Sequence, residues 1–260
     1  VVVCDGYFNS VRGFKGKLFL LGKYELVAGT VSNWADRLLD TMELGDYIGA
    51  IDLATSYYLG TQDLAIVGLP TDDDERHAIV IKNLPGMMIA SIKYTFNGSA
   101  HGENVGELSW EEFVAELCDV TLEAWIAIGK PAELLEQIFE EFEEHHYGRI
   151  FFETLTRQIS SGRVTQLPPI VFRELVKTHA GDPELAERLE EVICSLDIQT
   201  LDVDAAITLA RQHHLKDTLI YIWNHALGDY VTPLVEFIET ITRRGGDGHL
   251  TEAEKVYPYL

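Results

Sequence analysis

Positive charge is scarce in this chain: 20 Lys and Arg stand against 42 Asp and Glu, a formal net charge of −22. Such a surface repels phosphate backbones and anionic lipid, which excludes direct nucleic-acid binding as its business. Cysteine is scarce too, with three in 260 residues. Cys4, Cys118 and Cys194 are far apart and odd in number, so they form neither a disulfide framework nor a zinc-spaced pair; buried free thiols in a reducing compartment are expected. Long apolar runs are missing. The best candidate, Val114 to Ile128, is broken by Glu116, Asp119 and Glu123, well short of the roughly 20 apolar residues of a membrane-spanning helix. No phosphate-binding Gly-Lys-Ser/Thr loop and no Gly-x-Ser-x-Gly elbow occurs. The chain begins Val1-Val2-Val3 without a signal or transit pattern, and is expected to be an internal piece of a longer protein.

What the sequence has in quantity is helical periodicity. Val1 to Gly6 and Lys17 to Gly22 are short β-prone runs bounded by glycines; residues 1–31 are expected to be a β segment, and 32–260 an α-solenoid. Ser32 or Asn33 can cap a helix carrying Trp34, Leu38, Leu39 and Met42. Tyr47 to Leu59 follows, with Ile48, Ile51 and Ala54 inward and Gly60 as a stop. Thr71 to Glu75 reads as an acidic loop or helix start, Ala78 to Leu84 as a short apolar run that Pro85-Gly86 interrupts, and Met87 to Phe96 as a helix. Asn97 to Gly106 is a polar loop. Ser109 and Glu112 form a capping box ahead of Phe113, Leu117, Val120, Leu122 and Trp125. Gly129-Lys130-Pro131 closes that helix and opens another. Gly148–Ser160, Pro169–His179, Asp182–Leu196, Asp202–His214, Lys216–Leu227 and Asp229–Arg244 complete the series. Leu-Gly-Asp-Tyr occurs twice, at 44–47 and 227–230. In each copy Gly suits the left-handed end of one helix and Asp the first amides of the next. Helices in strict succession with short links predict stacked antiparallel hairpins, each burying its face against the next.

Candidate chemistry is thin. His145-His146 and His213-His214 are adjacent pairs, whose side chains point about 100° apart on a helix; they read as residues at helix C-termini rather than metal ligands. Gly246 to Glu254 imitates half of an EF-hand loop, with Asp247, Gly248, Leu250 and Glu254 in register. Arg243 and Gly245 then fall where calcium needs carboxylates, so no metal is expected. Asp197, Asp202 and Asp204 could be paired carboxylates for acid–base work, but near Leu196, Leu201 and Val203 they read as caps and turn residues. No catalytic residue and no cofactor is therefore expected. Tyr221, Trp223 and Tyr230 read as core. Eleven Asp or Glu lie between Glu111 and Glu144 against the single Lys130, a pattern that reads as a solvated helix face with basic-partner docking as the alternative.

Two stretches carry a resemblance: Ser195-Leu196-Asp197-Ile198-Gln199-Thr200-Leu201-Asp202-Val203-Asp204, and Leu219-Ile220-Tyr221-Ile222-Trp223-Asn224-His225-Ala226-Leu227-Gly228-Asp229-Tyr230-Val231-Thr232-Pro233-Leu234. With Gly29 to Arg37, Asp46 to Ile51 and Gly162 to Pro169, they resemble the vacuolar protein sorting 8 family, the subunit specific to the CORVET endosomal tethering complex. The resemblance implies an α-solenoid like the clathrin heavy-chain repeat, preceded by a β-propeller of which residues 1–31 would be the tail. It also implies a non-catalytic scaffold role in endosomal tethering and vacuolar protein transport. The implied partners are other tether subunits and, through the full-length protein, an early-endosomal Rab GTPase; the implied location is cytoplasmic, peripheral on endosome membranes. A subunit of the sister late-endosomal tether (HOPS-like) or a vesicle coat scaffold is the alternative. No partner-binding residue is implied.

Overall fold

A computed structural model describes residues 10–62, 66–98, 109–180, 183–197, 201–213, 215–235 and 238. The chain divides into two compact units, Val1–His101 and Gly102–Leu260.

The first unit opens with a three-stranded antiparallel sheet in sequential order, β1 (Val11–Phe14), β2 (Lys17–Leu21) and β3 (Leu26–Thr30). Lys15 and Gly16, both at positive φ, make the tight turn of the first hairpin, as a two-residue connection between right-twisted strands requires. The register sets Val11 opposite Leu20 and Leu20 opposite Val27. Lys17–Leu21 matches the expected strand; its partners on either side carried too weak an alternation to be read in advance. The Val1–Gly6 run lies outside the described residues.

Four helices follow: α1 (Trp34–Glu43), α2 (Tyr47–Leu59), α3 (Asp73–Val80) and α4 (Leu84–Asn97), with α2 packed against each of the other three. Asn33 caps α1 with a full capping box, its Oδ1 accepting from the amides of Ala35 and Asp36 while Asp36 accepts from the Asn33 amide. The α1 stripe is narrower than its sequence suggests: Trp34 and Leu38 are buried, but Leu39 is exposed. One of the two readings of the acidic stretch holds, and one boundary differs. The acidic Asp73–Glu75 stretch is the first turn of α3, where carboxylates favour the helix dipole. Pro85 does not interrupt anything; it occupies the first turn of α4, where its missing N–H has no intrahelical partner to lose. Arg76 is buried across the end of α2, with Nε donating to the Tyr58 carbonyl and Nη2 to Asp73.

The second unit contains α5 (Trp110–Ala127), α6 (Ala132–Glu144), α7 (Gly148–Ser160), α8 (Pro169–Ala180), α9 (Pro183–Cys194), α10 (Val203–Gln212) and α11 (Lys216–Ile222). Helices pack on neighbours one and two positions along: α5 on α7, α6 on α7 and α8, α7 on α9, α8 on α9 and α10, α9 and α10 on α11. That pattern defines a stack of helical hairpins, and the chain is a mainly α-helical solenoid with a short N-terminal β segment. Its core is a run of aromatic contacts, with the rings of Phe139, Phe142, Phe151 and Phe152 at centroid distances of 5.1 to 5.8 Å. The Ser109–Glu112 capping box forms as its sequence predicts, and its hydrogen bonds hold the Glu112 carboxyl below the usual range. Arg157 with Asp119 and Arg163 with Glu123 tie α7 and its C-terminal corner to α5.

The two Leu-Gly-Asp-Tyr copies make the same corner by different routes. Gly45 and Gly228 both take left-handed φ, 80° and 62°. Asp46 accepts from the Gly49 amide, and Asp229 from the amides of Val231 and Thr232. In the first copy an α-helix ends with the Asp46 amide on the Thr41 carbonyl. In the second, α11 stops at Ile222 and a π-helical turn, Trp223–Leu227, completes the element, with the Gly228 and Asp229 amides both reaching the Trp223 carbonyl. The expected uniform helix from Lys216 to Leu227 is thus corrected. The first residue of that wider turn, Trp223, is 4% exposed and lies in the core. Of the Asp229–Arg244 helix, residues 231–235 and 238 are described and helical.

Candidate interaction surface

Three successive corners bring backbone and side chains of the second unit together. At the α5–α6 corner, Gly129 (φ 92°) and Lys130 (φ 61°) are both left-handed, and the Lys130 amide donates to the Trp125 carbonyl at 3.0 Å. Trp125 is buried, its Nε1 donating to the Pro131 carbonyl at 2.9 Å. Pro131 is the N-cap of α6 and supplies no side-chain acceptor. At the α7–α8 link, Gly162 is left-handed, and the Arg163 and Val164 amides both donate to the Gln158 carbonyl. Val164, Leu167 and Pro168 are buried. At the α9–α10 link the Asp197 amide donates to the Thr165 carbonyl at 2.7 Å, lacing the second and third corners together.

Two cavities open between these corners. One, of about 400 Å³, is lined by Trp125, Gly129, Lys130, Ala132 and the Thr165–Pro169 segment. The other, of about 110 Å³, lies between α8 and α10, among Pro169, Ile170, Arg173, Leu201, Asp202 and Leu209. Leu167 and Pro169 belong to both linings, so the two cavities lie side by side along this segment. Sequence reasoning took Gly129-Lys130-Pro131 as a helix break and Gly162 to Pro169 as family likeness. That the two meet is a tertiary fact, although the Leu167-Pro168-Pro169 run was a local signal for a stiff, amide-poor wall.

The other candidates resolve into structure. Asp202 caps α10 by accepting from the Ala205 amide, Asp204 lies in the first turn of the same helix, and Asp197 is held through its backbone at the preceding link, so the three read as cap and turn residues. His145 and His213 are the C-cap residues of α6 and α10, and His146 takes the left-handed position (φ 67°) after α6. These are helix ends, as read from sequence; His214 and the Gly246–Glu254 segment lie outside the described residues. Among the described residues no group of three His, Cys, Asp or Glu is placed to hold a metal ion. Tyr221 is partly buried and its hydroxyl donates to the Leu196 carbonyl, but Tyr230 is 59% exposed, against the expectation that it packs in the core. It stands beyond the corner, where no described helix covers it. Cys118 is buried, with its thiol pushed up by desolvation; Cys194 is half-buried and pushed up to about 11 for the same reason. Cys4 lies outside the described residues. Among those described, no helix is long and apolar enough to cross a membrane.

Stacked hairpins, with carboxylates at caps and histidines at helix ends, define a helical-repeat protein. The "Vps8 central TPR" family model matches residues 150–260. The vacuolar protein sorting-associated protein 8 of Saccharomyces cerevisiae is 28% identical over 87% of this chain and 18% of its own length. The homologue from Homo sapiens is 22% identical over 90% of the chain and 16% of its own length, and the Drosophila melanogaster homologue 24% identical over 72% and 16%. The chain is thus similar to Vps8 proteins along most of its length, and the family model covers its C-terminal part. The chain spans less than a fifth of the length of these relatives.

Proposed function

We propose that this chain is a non-catalytic scaffold segment of an endosomal tethering complex of the CORVET type, acting in vacuolar protein transport by holding other tether subunits. The observation that carries the reading is the pairing of a hairpin stack with Vps8 relatives that match along 87% to 90% of the chain. A hairpin stack exposes a large ordered surface at little cost, because each repeat needs only its neighbours for stability. The full-length protein engages an early-endosomal Rab GTPase and works from the cytoplasm, peripheral on endosome membranes. Residues 1–31 belong to a β domain that extends beyond them, since Val11, Phe14, Leu21 and Leu26 lie exposed on a sheet of three short strands, and so small a sheet is marginal without further packing.

Co-purification tests the reading. Full-length protein is expected to recover its tether subunits from cells, and the same protein with residues 32–260 deleted is expected to lose at least one of them. Recovery of the full set without this segment refutes the scaffold role; recovery of late-endosomal partners instead assigns it to the sister tether.

A further inference from the structure

We propose that the two adjoining cavities, at the α5–α6 and α7–α8 corners, act as a groove that docks an extended peptide segment of a partner protein, one that carries an acidic side chain beside apolar ones. The inference rests on the scaffold reading, and names a place and a chemistry for one of its contacts.

Charge is the first argument. The chain carries 42 acidic residues to 20 basic ones, yet the lining of the larger cavity contains Lys130 and no carboxylate. The smaller cavity adds Arg173 and one carboxylate, Asp202, which is already turned onto the Ala205 amide. Arg173 lies 3.4 Å from Glu174 and remains more than half exposed. The larger cavity therefore presents one cation and no carboxylate on a protein that is acidic overall. Between Glu111 and Glu144 the sequence offers one cation, Lys130, and the fold sets that cation on the groove. An acidic side chain seated there is drawn in, while a basic segment is drawn to the glutamate faces elsewhere.

Shape is the second argument. Leu167, Pro168 and Pro169 form an apolar wall in which the two prolines offer no amide donors. A chain lying along the shared Leu167–Pro169 edge passes from Lys130 toward Arg173, with apolar contacts between. An extended backbone suits a shallow groove spanning several corners, and alternate side chains can then take the charged and apolar positions.

Backbone geometry supplies a handle on the site. Lys130 holds φ 61° directly after Gly129 at φ 92°. Left-handed backbone is unfavourable for a residue with a Cβ, and a second glycine would relieve it. Glycine at position 130 would therefore be at least as stable as lysine, which lets stability and binding be read separately there.

The test uses the 260-residue chain, immobilised, and a random twelve-residue peptide display library. Recovered peptides are expected to carry Asp or Glu adjacent to apolar residues. A recovered peptide, fluorescein-labelled and followed by anisotropy, should bind Lys130→Glu at least about fivefold more weakly and lose affinity with added salt. Arg149→Glu on α7 makes the same change in net charge away from the groove lining, and should leave affinity within about twofold. Lys130→Gly should weaken the peptide while leaving the melting temperature unchanged or higher, a split that a purely structural corner residue does not produce. Enrichment of basic peptides, no acidic–apolar enrichment, or equal effects of Lys130→Glu and Arg149→Glu each overturn the proposal. Because peptide binding is read on the chain alone and assembly on the full-length protein, either reading can fail without the other.

Discussion

Replacing Trp223 with alanine should be among the most damaging single changes in the second unit. The ring is 4% exposed, sits at the first position of the π-helical turn, and lies 5.4 Å from the Arg211 guanidinium. Truncating a buried Trp to Ala costs about 3–5 kcal/mol, the spread reflecting how far neighbours collapse into the space. The cation–π contact adds about 0.5–1 kcal/mol. Its backbone carbonyl also receives the Gly228 and Asp229 amides, so collapse around a void can loosen the corner itself. In a stack of repeats the loss falls on one local interface before it reaches the rest. The assay is therefore urea denaturation with hydrogen exchange on amides of residues 203–227. The expected result is a loss near 4 kcal/mol, centred on α10, α11 and the π-helical turn. Trp223→Phe should recover more than half of it, since an aromatic ring still fills most of the space. A loss below about 1 kcal/mol in Trp223→Ala, or one spread evenly over the unit, would show that the ring does not hold this corner together.

Gly49→Ala should destabilise, although alanine normally improves a helix interior by about 0.5–1 kcal/mol: an added Cβ would collide with the Asp46 carboxylate that caps α2, and thermal denaturation reads the sign. Ser109→Ala should cost about 1 kcal/mol at neutral pH by removing the α5 cap. Because the folded state lowers the Glu112 pKa, that box stabilises above the ordinary glutamate range and fades as pH falls through the lowered value. The Ser109→Ala difference should therefore shrink in acid, and an undiminished difference at pH 3 refutes the coupling. Cys118 and Cys194, both raised by desolvation, should resist iodoacetamide at pH 8 in the native chain and react fully in urea, as intact-mass spectra will report.

Much of the helical order was legible because its signals are local. Asn33, Asp46, Ser109 and Asp202 cap the helices they were read to cap, the acidic Asp73–Glu75 stretch took the helix-start reading of its two, and only the boundary at Pro85 shifted. The open alternative and the shift have one cause: acidic residues and proline are equally at home in a turn and in a first helical turn, so their sequence does not separate the two. Strands β1 and β3 were missed because a strand is stabilised by its partner across the sheet, and Leu26–Thr30 alternates too weakly to announce one.

The repeated Leu-Gly-Asp-Tyr marks the division between what sequence and fold each decide. By itself the sequence determined that a helix ends at each glycine and another begins at each aspartate, since left-handed backbone and amide capping are properties of single residues. Only the tertiary structure decided that the second copy is reached through a π-helical turn whose first residue, Trp223, is packed in the core, since helix width there depends on packing and not on a single residue's preference. It likewise set Lys130 against the Leu167–Pro169 wall. Residues more than thirty positions apart meet only when neighbouring hairpins stack, and no local preference records which groups the stacking will bring face to face.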